Sequence, residues 1–125
     1  MWDGIDRRKF PRIHYKCLLY IKKADSTKVI LTYTENIGAG GICVVLNEDL
    51  GLFQGVNLEI TLENGIHANI KCSGTVVWVV KKHPIKEKGA MQYDTGIEFV
   101  DITEEAENRI SVSIGKELKK HPPRG

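Results

Sequence analysis

A short basic segment near the start of the chain has the residue types to bind an anion. Residues 7–12 (RRKFPR) hold four of the 18 lysines and arginines. Pro11 fixes its own φ and biases Phe10 away from the helical region, which predicts an extended arm. The planar donor fork of arginine suits phosphate oxygens and the O6/N7 edge of guanine. The segment therefore predicts an anion-binding arm, with a solvated basic tail as the alternative.

A second segment with binding chemistry is NIGAGG at residues 36–41. Glycines permit positive φ and let a ligand approach the main chain, while the amide of Asn36 both donates and accepts hydrogen bonds. Taken alone, the segment is also typical of a tight turn between two strands.

Alternation of apolar and polar residues predicts the strands that carry both segments. Six strands are predicted, at residues 13–22, 29–33, 42–46, 56–62, 66–80 and 93–100, although residues 42–46 and 76–80 are apolar throughout and give no period. Val29, Leu31 and Tyr33 share one face of the second run, and most aromatic residues fall on faces that we expect to be buried. Asn64-Gly65 predicts a two-residue hairpin loop. Ser73-Gly74, inside the fifth run, predicts a bulge or a bend.

Helical chemistry follows the last strand. Asp101 or Thr103 can cap a helix that has glutamates in its first turn and lysines near its end. One apolar stripe recurs at every fourth position: Ala106, Ile110, Ile114 and Leu118. The sequence therefore predicts a mainly all-β fold, a six-stranded antiparallel β-barrel that is closed or nearly closed, with a C-terminal α-helix across one opening or edge.

Composition limits the classes of function. A chain of 125 residues forms one domain with a real core, and a net charge of +2 is too small for bulk binding of nucleic acid. Three widely spaced cysteines in apolar runs predict buried thiols in a reducing compartment. Because no signal-peptide core or membrane-length apolar run is present, we expect a cytoplasmic protein without membrane insertion.

The two binding segments together resemble a known family. The spacing Arg8-x-x-x-Arg12, then a strand, then Asn36-x-Gly38-x-x-Gly41, resembles the PilZ domain, a bacterial receptor module for the second messenger cyclic di-GMP. The pattern of that family is RxxxR followed by [D/N]xSxxG on a six-stranded split barrel with a C-terminal helix.

Two later segments, GTVVW at residues 74–78 and GIEF at residues 96–99, also look like the family. The resemblance covers roughly residues 7–118, nearly the whole chain. It implies a stand-alone, single-domain PilZ protein with three parts: a flexible N-terminal arm at 1–12, the barrel and helix at 13–120, and a tail at 121–125.

The resemblance also implies a ligand site. Arg8 and Arg12 would clamp the guanine edges and phosphates of cyclic di-GMP, and Asn36 would hydrogen-bond a guanine edge. Gly41 would provide the turn that lets the loop close. Arg7 resembles the residue of family members that bind an intercalated pair of ligand molecules.

Two further positions of the implied site leave questions open. Gly38 stands where the family has serine, so one hydroxyl contact is missing. Its loss weakens the free energy of ligand binding by about 0.5–1.5 kcal/mol. Trp78 would stack on a guanine if Ser73-Gly74 is a bulge that turns its side chain outward. Otherwise Trp78 belongs to the barrel core.

The function implied is a cyclic di-GMP receptor, with no catalytic activity, whose basic arm folds over the ligand and alters a surface for an unidentified protein partner. The alternative is a degenerate PilZ-like adaptor that binds protein without nucleotide, as the loss of serine at Gly38 suggests. Single-stranded nucleic acid is not an expected partner, because such sites need several stacking aromatics. No metal or cofactor is expected, since the four histidines are scattered and catalytic motifs are lacking.

Overall fold

The structure is a computed structural model that describes residues 12–13, 16–62, 68–82 and 91–120. These residues form eight strands and one helix: β1 Arg12–Ile13, β2 Leu18–Lys23, β3 Val29–Tyr33, β4 Asn36–Gly38, β5 Gly41–Leu46, β6 Gly55–Leu62, β7 Ala68–Lys82, β8 Gln92–Asp101 and α1 Glu104–Lys120. The predicted Asn64-Gly65 hairpin loop lies outside the described residues.

All eight strands belong to one antiparallel sheet in the order β1-β4-β5-β8-β7-β6-β2-β3. In this order β3 and β4 are six positions apart, although only residues 34–35 separate them in the chain. A flat sheet would place them about 29 Å apart, whereas the three residues from Tyr33 to Asn36 span at most about 11 Å. The sheet must therefore curl until its ends meet, which produces the predicted split barrel.

The six predicted strands correspond to the six longer strands of the sheet, and β1 and β4 are short additions. The predicted first strand, residues 13–22, is in fact divided. β1 ends at Ile13 and pairs with β4, whereas β2 begins at Leu18 and pairs with β3 and β6. Alternation continues through both pieces, so the sequence pattern does not reveal the division.

The inner face of the curled sheet holds the core. One fully buried row crosses four neighbouring strands: Ile37, Ile42, Ile97 and Val76. Ile110 and Ile114 of α1 join the same cluster, and the helix contacts β1 and β4. Each fully buried aliphatic side chain contributes about 1.5–3 kcal/mol. The helix therefore covers the inner face at one edge of the sheet, as predicted.

The start of α1 confirms the predicted capping. The hydroxyl of Thr103 accepts a hydrogen bond from the Ala106 N–H at 3.1 Å, so Thr103 and not Asp101 is the N-cap. Three glutamates of the first turn lie near the positive end of the helix dipole. In the described part of the chain, no helix has both the length and the apolar character needed to cross a membrane.

The three cysteines are thiols and form no disulfide, as predicted. Cys17 is buried, whereas Cys43 and Cys72 are half-buried. Burial, with a smaller contribution from the carboxylate of Asp101, raises the pKa of Cys72 to about 11. The Cys72 thiol is therefore protonated at neutral pH.

The expectation that aromatic-bearing faces are buried is wrong at β3. Val29, Leu31 and Tyr33 are 53%, 58% and 58% exposed, and Tyr20 of the neighbouring β2 is 37% exposed. The face of β3 with these three residues points outward, and its other two residues, Ile30 and Thr32, are half-buried because β3 is the last strand of the sheet and has a neighbour on one side. Alternation predicted a strand here but gave the wrong side to the core.

Candidate ligand-binding face

The strand register brings predicted site residues together on the outer face of the sheet. Asn36 of β4 pairs with Cys43 of β5, Cys43 pairs with Gly96 of β8, and Gly96 pairs with Trp78 of β7. Paired residues of antiparallel strands project to the same side. This row alternates with the buried core row, so it lies on the opposite, outer side.

A second row runs beside the first. Arg12 of β1 is in register with Gly38 of β4, and Gly41 of β5 pairs with the exposed Glu98 of β8. The structure thus places the positions of Arg12, Gly38 and Gly41 next to the row of Asn36. We call the outer surface formed by the following residues the glycine face: Asn36, Gly38, Gly41, Cys43, Trp78 and Gly96.

Strands β4 and β5 form a hairpin that is anchored at both ends. Its connection consists of residues 39–40, so the tight-turn alternative describes its tip, and the rest of the predicted loop is strand. At the base, the Glu35 N–H donates to the Cys43 carbonyl at 2.8 Å; at the tip, the Phe99 N–H donates to the Gly40 carbonyl at 3.0 Å. These bonds hold the hairpin in place before any ligand arrives, which reduces the entropy lost on binding.

Gly41 is needed for close packing and not for the turn predicted from the sequence. Among the described glycines, only Gly51 has a positive φ, 97°. A Cβ atom on Gly41 would overlap the carbonyl oxygen of Ile97 in β8. The absent side chain therefore lets β5 approach β8.

Trp78 lies on the outer face of the sheet, so the alternative that placed it in the barrel core is wrong, and its contact with a guanine stays a prediction. The pairing of β7 with β8 is irregular at Ser73/Gly74, as predicted, and again between Val76 and Trp78. Val76 is still fully buried, so the second irregularity is the one that turns Trp78 outward. The half-buried indole covers Gly96, where a Cβ atom would overlap the ring nitrogen.

Sequence reasoning missed two residues beside this site. Gly96 is the seat of the indole, and Glu98 places a carboxylate next to Gly41. The signal was present in the GIEF segment, because inward-facing Ile97 and Phe99 leave their alternate neighbours on the outer side.

The basic arm is only partly described. Arg7 and Arg8 lie outside the described residues, and for Arg12 the structure gives the strand position. On the described side, the glycine face offers an amide and an indole ring, both half-buried, beside three glycines. Among the described residues, no group of three His, Cys, Asp or Glu side chains is placed to hold a metal ion. The chemistry available is therefore stacking and hydrogen bonding.

Comparison with known families agrees with this fold. The model of the PilZ domain family matches residues 6–114. This range is most of the 125 residues, and the chain therefore belongs to the PilZ domain family. The resemblance seen in the sequence is confirmed. No curated protein sequence matches the chain.

Solved structures show the same architecture. The inhibitor of motility MotI/DgrA of Bacillus subtilis has a TM-score of 0.73 and 23% identity over 92% of this chain and 53% of its own, so the chain spans about half of that protein. The PilZ domain of YcgR from Escherichia coli with c-di-GMP has a TM-score of 0.65 and 15% identity, over 91% of this chain and 94% of its own. The MrkH–c-di-GMP complex of K. pneumoniae has a TM-score of 0.69 and 16% identity, over 91% of this chain and 53% of its own. At these identities the likeness establishes the fold.

Proposed function

We propose that this protein is a receptor for cyclic di-GMP and that it binds the ligand on the glycine face. Membership of the PilZ family supports the proposal, as does the presence of c-di-GMP in the similar structures of YcgR and MrkH. The observation that carries it is the row from Asn36 to Trp78, which crosses four neighbouring strands. Such a row is about 14 Å wide. It has a hydrogen-bonding amide at one end and an aromatic ring at the other.

Each end of the row has its own role in the proposal. One guanine stacks on the indole of Trp78, a contact worth about 1–3 kcal/mol per base. The amide of Asn36 hydrogen-bonds a guanine edge, where it can serve both donors and acceptors. Gly38 and Gly41 keep side chains away from the space between them, so the sugar–phosphate ring lies close to the main chain.

The arginines supply the charge. Arg8 and Arg12 clamp phosphate oxygens and guanine O6/N7, and each charge-assisted contact is worth about 1.5–3 kcal/mol. The register of Arg12 with Gly38 supports this, because the last residue of the arm then lies at the edge of the glycine face. Arg7 binds a second ligand molecule when the ligand arrives as an intercalated pair.

Ligand binding also produces the signal in this proposal. The negative ligand neutralises the arginines and folds residues 1–12 over the glycine face, which changes the surface offered to a protein partner. Backbone ¹⁵N order parameters of residues 5–12 should rise at saturating ligand. Unchanged order parameters would refute the folding of the arm while leaving ligand binding intact.

A second candidate function follows from Gly38. Without the family serine, the protein would act as an adaptor that binds a protein partner and no nucleotide. A hydroxyl contact is worth about tenfold in affinity at most. The receptor proposal therefore expects measurable binding in spite of Gly38, and the adaptor proposal expects none.

Isothermal titration calorimetry with cyclic di-GMP tests the proposal. The variant Arg8→Ala/Arg12→Ala should bind at least about 100-fold more weakly, because it loses two charge-assisted contacts. Lys22→Ala/Lys23→Ala is the matched control, since it removes the same charge from the end of β2 that is farther along the chain from Arg12, and it should change affinity by less than about threefold. If both variants lose the same affinity for cyclic di-GMP, the effect of the arginines is one of net charge alone. No heat with the unmodified protein would favour the adaptor.

A further inference from the structure

The opposite end of the sheet carries a feature that cyclic di-GMP binding does not use. β3 is an edge strand, and within the described residues no strand pairs with it on its second side. Edge strands present main-chain groups to which another chain can add. Whether β3 does so depends on which of its residues bond to β2.

Two main-chain hydrogen bonds fix the direction of these groups. In an antiparallel ladder, the N–H and C=O of one residue point to the same side, and the sides alternate along the strand. The Ala24 N–H donates to the Gly55 carbonyl at 3.1 Å, so even-numbered residues of β2 bond to β6. The Thr34 N–H donates to the Cys17 carbonyl at 2.9 Å, so odd-numbered residues of β2 bond to β3.

The same alternation of hydrogen-bonding sides holds along β3. Its register pairs Ile30 and Thr32 with odd-numbered residues of β2, so these two residues make the ladder bonds. The N–H and C=O groups of Val29 and Leu31 consequently point away from β2, toward the open edge.

A groove of about 290 Å³ lies along this edge, lined by residues 28–32 and by residues 45–48 of β5 and the turn after it. At one end of the groove the Lys28 ammonium and the Glu48 carboxylate lie 2.7 Å apart. A second copy would bring its own β2 against β5 when its β3 pairs here. The edge therefore suits a single extended segment better than a second copy of the sheet.

The side chains around the groove define the chemistry of that segment. We call the following outward-facing residues of β2 and β3 the β3 strip: Leu18, Tyr20, Val29, Leu31 and Tyr33. Lys16 and Lys22 lie at the two ends of its β2 side, and neither takes part in an ion pair in the described structure. An added strand would gain from apolar residues at alternate positions and a carboxylate at each end.

We propose that the β3 edge binds an extended segment of a protein partner by strand addition, with its main chain bonded to Val29 and Leu31. The segment is apolar at alternate positions and acidic at its ends. A carboxylate of the segment can replace Glu48 at Lys28, because both side chains are exposed and a surface ion pair of this kind contributes little stability. This site is independent of cyclic di-GMP.

The test uses ¹⁵N-labelled protein and a blocked peptide, Glu-Thr-Val-Thr-Val-Thr-Val-Thr-Glu, in which the three valines and both glutamates fall on one face of an extended strand. In the protein alone, the Ile30 and Thr32 amides should resist hydrogen exchange, whereas those of Val29 and Leu31 should exchange at least about tenfold faster. Saturating peptide should slow the latter two by about tenfold or more. Protection of Val29 and Leu31 without peptide, or no binding of millimolar peptide, would overturn the proposal.

Two matched pairs sharpen the test. Leu31→Pro removes the outward N–H, which an edge strand tolerates, and should weaken peptide binding about tenfold more than Leu31→Ala. The same peptide with N-methyl groups at alternate residues should fail to bind. Equal binding of the methylated peptide would contradict main-chain pairing. Resonance changes that depend on protein concentration and not on peptide would assign the edge to a second copy and overturn the proposal.

Discussion

The glycine face and the β3 strip are two parts of the same outer surface with opposite chemistry. The glycine face has glycine at three positions, and at two of them, Gly41 and Gly96, β8 and the indole of Trp78 occupy the space of a side chain. The β3 strip keeps large apolar side chains that are more than half exposed at Val29, Leu31 and Tyr33. Behind both lies the same apolar core. The contrast indicates that the inner residues of the strands form one common core, whereas the outer residues differ from one end of the sheet to the other.

The two regions are also neighbours, although they belong to distant strands of the sheet. Only residues 34–35 separate β3 from β4, because the sheet is curled and its ends meet there. The main-chain hydrogen bond from Glu35 to Cys43 stands at the junction. One nearly continuous stretch of chain therefore carries the exposed β3 edge at one end and the first strand of the glycine face at the other.

The largest expected effect is on stability and comes from Gly41, where close packing leaves no room for a side chain. Gly41→Ala should destabilise the protein by about 1–3 kcal/mol in urea unfolding, because its Cβ atom would overlap the Ile97 carbonyl. Gly55→Ala is the control, since its Cβ atom would lie 3.9 Å from that of Ala24, an ordinary contact. If both variants unfold at the same urea concentration, the glycine face owes nothing to close packing.

Gly96→Ala tests the seat of Trp78. The new methyl group displaces the indole from β8, and loss of stacking should weaken cyclic di-GMP binding by about tenfold. Calorimetry gives the affinity, and the shift of the indole N–H resonance shows that the ring has moved. A displaced ring with unchanged affinity would remove Trp78 from the site.

Gly38→Ser restores the hydroxyl of the family pattern. We expect affinity for cyclic di-GMP to rise by about two- to tenfold, the value of one neutral hydrogen bond. Gly38→Ala has the same main-chain restriction without the hydroxyl and should not tighten binding. If alanine and serine act alike, the gain comes from the main chain and the proposed hydroxyl contact is wrong.

Leu31→Thr should have the smallest effect on the protein itself. Leu31 is 58% exposed on the β3 strip, so the free energy of unfolding should change by no more than about 0.5 kcal/mol. Affinity for cyclic di-GMP should not change. A loss of stability above about 1 kcal/mol would show that the strip is part of the core and not a surface.

Much of the fold is readable from the sequence. The six longer strands, the Thr103 cap and the apolar stripe of α1 follow from alternation and capping chemistry, because these are local signals. The division of residues 13–22 between two distant pairings is not local. It depends on how the sheet closes, which alternation does not encode.

The candidate site divides in the same way. Its residue types and their order are local and led to the family. The side on which Trp78 lies depends on an irregularity between Val76 and Trp78, inside a run of apolar residues where no period distinguishes the faces. Likewise, only the strand register shows that Gly96 is the seat of the ring.

A titration of ¹⁵N-labelled protein with cyclic di-GMP tests the central claim most directly, because one spectrum reports both regions. We predict that the resonances of Asn36, Gly41, Gly96 and the Trp78 indole N–H shift, whereas those of Val29 and Leu31 do not. Variant Arg8→Ala/Arg12→Ala should show none of these shifts at the same ligand concentration. Shifts confined to the β3 strip, or shifts that the arginine variant retains in full, would contradict the assignment of the glycine face as the ligand site.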